Sequence, residues 1–150
     1  MSPKSSFFKD FAKRMIETVQ ETEQSVAQPV NFPQSSLSEI QNRALSVRQP
    51  YAEQIMRGTK TVEYRRMLTR IRGRVYIYAS LTPGAERDFQ LMKAKPGDFS
   101  TGVIVGTVEI IDCTGVPGDY EWHLADPIRF DTLIKPEKHP QPSWFIPFDK

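Results

Sequence analysis

The sequence predicts one mixed, β-rich domain, most easily a small barrel that carries helices. Three observations support this class. At least five short segments have strand character, two segments between them have the punctuation of helices, and no segment is repeated along the chain. With 150 residues, of which 39% are hydrophobic, the chain is long enough to bury one sizeable core.

The first part of the chain has a different character from the rest. Over Lys4–Glu23, apolar residues recur at steps of three and four, the period of an amphipathic helix: Phe8, Phe11, Ala12, Met15, Ile16 and Val19. Gln24–Gln41 is rich in Gln, Ser and Pro and has no sustained period, which is typical of a linker. We therefore expect residues 1–41 to form a helix and a linker, and residues 42–150 to form the domain.

The domain opens with "ALSV", a short apolar segment that suits a strand, followed by "RQPYAEQIMRG". Pro50 stands near the start of this second segment and Gly58 at its end, the usual placing of these residues around a helix. "KTVEYR" and "GRVYIYAS" then alternate with a period of two, which predicts two strands.

The second half of the domain continues with a helix and further strands. Thr82 and Pro83 stand in the order of a helix start, and Pro96 and Gly97 mark a stop, so a second helix is predicted between them. "TGVIVGTVEIIDC" is the longest β-branched run and is apolar on both faces, which predicts a central strand covered on both sides. Two more short strands are predicted at "PIRFDTLI" and "PSWFIPF".

Basic residues are concentrated in one segment, Leu45–Ser80, although the formal net charge of the whole chain is only +2. This segment holds two acids, Glu53 and Glu63, against Arg48, Arg57, Lys60, Arg65, Arg66, Arg70, Arg72 and Arg74. A positive face on neighbouring strands and turns can neutralise phosphates and release counterions, which supplies much of the affinity for nucleic acids. The alternative is a solvated face whose arginines pair with acids from the C-terminal third.

Aromatic residues accompany the cationic ones. Tyr64, Tyr76 and Tyr78 alternate with the basic positions, and Trp122 lies in a second cluster, "DYEWHLADP". Facing outward they would stack on unpaired bases, whereas aromatic residues on barrel strands usually belong to the core. Trp122 therefore either walls a base pocket or plugs the barrel end, and His123 is expected to be a surface or hydrogen-bonded residue.

These observations predict a nucleic-acid interface that combines a basic face with stacking platforms. Its candidate residues are Arg48, Lys60, Arg65, Arg66, Arg70, Arg72 and Arg74, together with the aromatic residues Tyr76, Tyr78 and Trp122.

Four stretches occur in an order that resembles a known family: "LSVRQPYAEQIMRGTKTVEYR", "RGRVYIYAS", "GVIVGTVEIIDC" and the aromatic and acidic "YEWHLADP". The sequence resembles the ASCH family from about Ala44 to Phe148. This resemblance implies a PUA-like β-barrel and RNA binding, with a cleft in which the lysine of a G-x-K-T turn lies near an acidic residue. Lys60 occupies that lysine position.

The resemblance also implies an alternative function. One branch of the family hydrolyses the acetyl amide of acetylcytidine with a lysine, a threonine three residues later and a glutamate, and another member is regarded as an RNA-cleaving enzyme. Lys60 matches the lysine, but Glu63 stands at the threonine position, and Thr61 and Ser80 are the hydroxyls nearby. If the chain is a hydrolase of RNA or of an acylated cytidine, its candidate catalytic residues are Lys60 with Glu63 or Glu121.

The roles of Lys60 and Glu63 depend on whether their side chains meet. In a regular strand they would point to opposite faces, and a twist or bulge at Gly58 and Thr59 is needed to bring them together. A meeting pair in a cleft can recognise a base edge or take part in acid–base chemistry. Otherwise Lys60 is only a lysine in a turn.

Composition and the absence of certain motifs lead to expectations about the cellular compartment, cofactors and binding partners of the protein. Cys113 is the only cysteine, which suits a reducing compartment such as the cytoplasm, and no apolar run approaches the roughly 18 residues of a membrane span. No metal-binding or phosphate-cradling motif appears, so we expect no metal and no nucleotide cofactor. The expected partner is single-stranded RNA or a modified nucleoside, with a protein as a further partner for the N-terminal helix and no membrane contact.

Overall fold

The computed structural model of the protein describes residues 39–149. The amphipathic helix predicted over Lys4–Glu23, and most of the linker after it, lie outside the described residues. Along the described part the elements are β1 (Ala44–Val47), α1 (Tyr51–Arg57), β2 (Val62–Arg65), β3 (Gly73–Ala79), α2 (Glu86–Gln90), β4 (Val103–Val116), β5 (Asp119–Ile134) and β6 (Trp144–Phe145). Neither of these two helices is long and apolar enough to cross a membrane.

The strands form one six-stranded sheet in the order β2-β5-β4-β3-β1-β6. Strands β1 and β3 are parallel, and the other neighbouring pairs are antiparallel. Although three strands separate β2 from β1, the Nη2 atom of Arg65 on β2 lies 2.9 Å from the carbonyl oxygen of Ser46 on β1. The sheet is therefore strongly curled into a half-barrel, which confirms the predicted fold class.

Helix α1 follows the predicted punctuation. It begins after Pro50 and buries Ala52, Ile55 and Met56, and it ends at Gly58, which has a φ of 77°. This left-handed conformation favours glycine because no Cβ is present to clash. The backbone N–H groups of Thr59 and Lys60 then both donate to the carbonyl oxygen of Gln54, at 3.0 and 3.2 Å. The turn after the helix thus folds back onto it and fixes the backbone of Lys60.

Strands β4 and β5 form a long hairpin, and both strands are longer than the sequence predicts. The predicted central strand is confirmed as β4, and the "DYEWHLADP" cluster joins the predicted strand "PIRFDTLI" as one element, β5. The pairing shifts register three times along this hairpin. One shift leaves an extra residue near Asp126, where φ is 49°, and such bulges allow a strand to pass through a proline like Pro127.

The second predicted helix is much shorter than expected. Helix α2 covers only Glu86–Gln90, so Thr82 and Pro83 precede it and do not start it. Phe89 is its only buried residue, whereas Leu91 is 86% exposed. Because a helix in water is stabilised mainly by an apolar face packed on the core, one anchoring residue holds little more than one turn.

The core lies inside the curl of the sheet. Its main cluster combines α1 with the inward faces of β1, β3, β4 and β5. Trp122 stacks on Trp144 in this interior, with ring centres 5.7 Å apart and planes at 10°. A second cluster covers the other side of β3, where Tyr78 packs against Phe145. Strand β3 is therefore covered on both faces.

Candidate nucleic-acid interface

A cleft of about 600 Å³ opens where the half-barrel fails to close, between β1, β2 and the loop over residues 139–143. Its walls are polar and aromatic, and include Ser46, Arg48, Tyr51, Glu63, Tyr64, Arg65, Tyr78, Ser80 and His139. A cleft of this size and mixed character suits a small polar ligand with a planar ring.

Lys60 lies beside this cleft in a defined environment. Its Nζ atom is 3.5 Å from Oε1 of Glu63, and it lies 5.3 and 5.2 Å from the ring centres of Tyr51 and Tyr64. Because β2 begins only at Val62, the alternation of a regular strand does not apply to Lys60. The structure thus brings Lys60 and Glu63 together, and two aromatic faces add cation–π attraction.

Glu63 lies between two cations. It is only 7% exposed, and its second oxygen accepts a hydrogen bond of 2.7 Å from Nη2 of Arg65. Residues two apart on a strand point to the same face, which explains why Arg65 reaches it. The Arg65 guanidinium also lies 5.5 Å from the ring centre of Trp122. A buried carboxylate with a cation on each oxygen is well suited to hold those cations in place.

The ring of Tyr51 is also held in place. A hydrogen bond to Asp88, together with burial, raises the pKa of Tyr51 to about 12. The phenol thus directs its hydroxyl to Asp88. Its ring face remains turned toward Lys60.

Most of the predicted basic residues lie on the surface. Within residues 39–149, the side chains of Arg48, Arg66 and Arg70 are exposed and form no ion pair, and Arg48 lines the cleft. Arg72 has one long ion-pair contact of 3.8 Å to Asp112, with both side chains largely exposed. Its Nη1 atom also donates to the carbonyl oxygens of Thr69 and Ile71, at 3.1 and 2.9 Å. Pairing with acids of the C-terminal third therefore accounts for little of this charge.

Arg74 differs from the other candidates because its side chain is buried. Its Nη1 atom donates to Oγ1 of Thr107 and to the carbonyl oxygen of Asp126, both at 2.9 Å. Asp126 lies at the bulge in β5, where the register shift interrupts the ladder. Arg74 thus satisfies a backbone carbonyl and ties β3 to β5, so we leave it out of the interface.

The three aromatic candidates are also largely internal. Trp122 is 1% exposed and donates from Nε1 to the carbonyl oxygen of Met67 at 2.9 Å, so it plugs the barrel. Tyr76 is half-buried and packs edge-on against Phe130 and Phe148. Tyr78 is buried, although part of it reaches the cleft wall. The exposed ring in this region is that of Tyr64.

Glu121 is not brought to Lys60. It pairs with Tyr64 in the β2–β5 ladder, while Glu63 pairs with Trp122, so Glu121 and Glu63 lie on opposite faces of the sheet. One of its carboxylate oxygens lies 3.9 Å from Nε2 of His123. His123 itself is within 2.7 Å of Oγ1 of Thr114, which confirms it as a hydrogen-bonded residue.

Sequence reasoning missed part of the cleft. His139 and the residues after it reach the cleft because Oγ of Ser46 donates to the carbonyl oxygen of Gln141 at 2.6 Å, and the carbonyl of Ser143 accepts from the N–H of Ser46 at 2.8 Å. These contacts join segments about 95 residues apart. No local sequence pattern predicts a contact between segments so far apart.

Comparison with known proteins finds relatives of part of this chain. Human activating signal cointegrator 1 is 35% identical over 80 residues, and the mouse protein of that name is 34% identical over 80 residues; each match covers 46% of this chain. The match covers 14% of each relative, so the chain spans only a small part of their length. The crystal structures of ASCH from Zymomonas mobilis and of a mutant of it are 17% identical, with a TM-score of 0.47, over 69% of this chain and 85% and 88% of theirs.

The family model of the ASCH domain matches residues 45–143, which include both helices, β2 to β5 and the cleft walls described above. Because that match covers well over half of the chain, the protein belongs to the ASCH domain family.

Proposed function

We propose that the protein binds single-stranded RNA, with one unpaired nucleoside in the cleft and the neighbouring phosphates on exposed arginines. The observation that carries this proposal is the group of charges at an open cleft: Glu63 and Arg65 lie in its wall, and Lys60 lies beside it in contact with Glu63. ASCH domains have a PUA-like fold that is generally linked to RNA binding, which agrees with this role.

The cleft offers the contacts that an unpaired base requires. Tyr51 and Tyr64 present ring surface near Lys60, and stacking on an aromatic ring is the usual way in which proteins hold a splayed base. Glu63 supplies an acceptor for an amino group, while Ser46 and Ser80 supply hydroxyls. These groups serve a nucleoside better than an apolar ligand.

Arginines near the cleft supply the phosphate contacts. Arg48 lies in the cleft wall, and Arg66 follows Arg65 directly at the end of β2. Arg70 and Arg72 lie in the loop that follows β2 and are also exposed. Guanidinium groups grip phosphate with two parallel hydrogen bonds, so this arrangement suits a strand that enters or leaves the cleft.

The same geometry favours binding over hydrolysis. A hydrolase that used a hydroxyl nucleophile would need one beside Lys60, where this chain has the carboxylate of Glu63. That carboxylate contacts both Lys60 and Arg65, so a water would have to be activated while these contacts persist. We therefore place Lys60 in ligand binding.

The experiment that tests this function locates the ligand directly. NMR spectra of the labelled protein are recorded during titration with an RNA dinucleotide and, separately, with acetylcytidine. We expect shifts at Ser46, Tyr51 and Glu63 and none at Lys135, which is exposed and lies outside the cleft. Shifts that avoid the cleft residues would reject the proposed site. Conversion of acetylcytidine to cytidine during the titration would instead favour the hydrolase.

A further inference from the structure

The loop over residues 66–72, between β2 and β3, exposes two adjacent apolar side chains. Met67 is 75% exposed and Leu68 is 47% exposed. Single exposed apolar residues are ordinary, but here a pair is flanked by Arg66 on one side and by Arg70 and Arg72 on the other. The loop therefore presents apolar surface inside a positive field.

This loop is held at several points along its backbone. The carbonyl oxygen of Met67 accepts from Trp122 Nε1 at 2.9 Å, and that of Arg66 accepts from the N–H of Gly118 at 3.1 Å. Thr69 is buried, and its hydroxyl oxygen accepts from the N–H of Ile71 at 3.1 Å. A loop tied in this way presents its tip with little ordering cost on binding.

The loop is also connected to the cleft. The Arg65 guanidinium contacts Glu63 in the cleft wall and lies over the ring of Trp122. The indole N–H of the same Trp122 side chain donates to the carbonyl oxygen of Met67. The buried side chain of Trp122 thus fixes the position of the Met67 backbone relative to the guanidinium of Arg65.

We propose that Met67 and Leu68 pack against unpaired bases of a strand whose neighbouring nucleoside occupies the cleft. Apolar side chains of this kind pack on base faces, while the flanking arginines meet the phosphates. This inference rests on the proposed function, and it adds a second base-contacting surface, so that the bound strand must be several nucleotides long. The flanking arginines favour a polyanion at this loop, and the connection of the loop to the cleft wall through Trp122 and Arg65 favours RNA over a lipid surface or an acidic peptide.

The test compares ligand lengths in matched variants. Binding of an RNA dinucleotide and of a single strand of about twelve nucleotides is measured for the wild type, Met67→Ser, Met67→Ser with Leu68→Ser, and Leu91→Ser. Leu91 is 86% exposed on another segment and serves as the control. We expect the double variant to bind the long strand at least about tenfold more weakly, with dinucleotide binding and thermal unfolding unchanged.

Other outcomes separate this inference from the proposed function. If Arg48→Ala weakens both ligands but the double variant binds the long strand as well as Leu91→Ser does, the inference fails and the cleft assignment stands. If the wild type binds neither ligand, both fail. Loss of binding to phosphatidylserine vesicles or to polyglutamate in the double variant, with RNA binding intact, would assign the loop to those partners and overturn the inference.

Discussion

Lys60 Nζ lies 3.5 Å from Oε1 of Glu63, although the alternation of a regular strand would direct these two residues to opposite faces. They meet because the chain folds back after α1, where the N–H of Lys60 donates to the carbonyl oxygen of Gln54. That turn depends on Gly58, with its φ of 77°. The contact between Lys60 and Glu63 thus depends on the C-cap of helix α1.

Gly58→Ala should therefore weaken both the fold and RNA binding. A Cβ at this position would come no closer than 4.0 Å to Pro127, so the cost is conformational and should be about 1 kcal/mol. Urea denaturation measures the stability. Gly97→Ala is a matched control, since Gly97 has a φ of 101° and open space around it. It should lower stability by a similar amount and leave RNA binding unchanged; equal binding losses in both variants would refute the link.

Arg74→Met should destabilise the domain by about 2–3 kcal/mol, because it leaves Thr107 and the Asp126 carbonyl without their buried donor. The exposed Arg70→Met should cost about 0.5 kcal/mol or less. Chemical denaturation of both variants tests this difference. Equal stability of the two would show that Arg74 does not hold the bulge.

Arg129→Gln should lower stability near neutral pH. Arg129 donates to both oxygens of Glu53, at 2.8 and 2.9 Å. Partial burial opposes ionisation of Glu53, but hydrogen bonds from Arg129 and Arg57 outweigh it and lower the pKa of Glu53 below its ordinary value of 4.5. Because Arg129 is about half exposed, screening limits the effect to about 1 kcal/mol.

The sign of the pH dependence follows from that direction. A depressed pKa in the folded state contributes stability above the ordinary value, and this contribution is lost as the pH falls through the folded value. Denaturation at about pH 7 and about pH 3 should therefore show a larger difference between wild type and Arg129→Gln at the higher pH than at the lower one. A difference of the same size at both pH values would contradict the ion-pair account.

Acetylcytidine should remain unchanged in the presence of the wild-type protein. Lys60→Ala should weaken nucleoside and RNA binding by about tenfold, since it removes a cation held by Glu63 and two aromatic rings. Chromatography of the nucleoside and a binding titration measure the two effects, with heat-denatured protein as the control. Hydrolysis that disappears in Lys60→Ala would make the Lys60 and Glu63 pair an active site.

The elements that sequence patterns predicted well are those set by local chemistry. Helix α1 is marked by Pro50 and Gly58, and β4 by its long β-branched run, so neither depends on distant contacts. The predicted second helix was too long because helix punctuation does not reveal how few of its residues are buried. Only Phe89 reaches the core there.

The candidate site was only partly predictable. Alternation along β3 puts Arg74, Tyr76 and Tyr78 on one face but does not show whether that face meets solvent, and both faces of the strand are covered in the curled sheet. His139 reaches the cleft through contacts between segments that are distant in the sequence, which no local pattern shows. Lys60 could be identified from the G-x-K-T motif. Its contact with Glu63 could not be predicted, because it depends on the geometry of the turn after α1.

The salt dependence of RNA binding tests the central claim most directly. Affinity for a single strand of about twelve nucleotides is measured across a series of salt concentrations for the wild type, Arg48→Ala, Arg70→Ala and Lys135→Ala. We predict steeply weaker binding as salt rises, and a slope of log affinity against log salt that is flatter by about one unit in each arginine variant but unchanged in Lys135→Ala. Absence of binding at low salt, or equal slopes in all four proteins, would contradict the account.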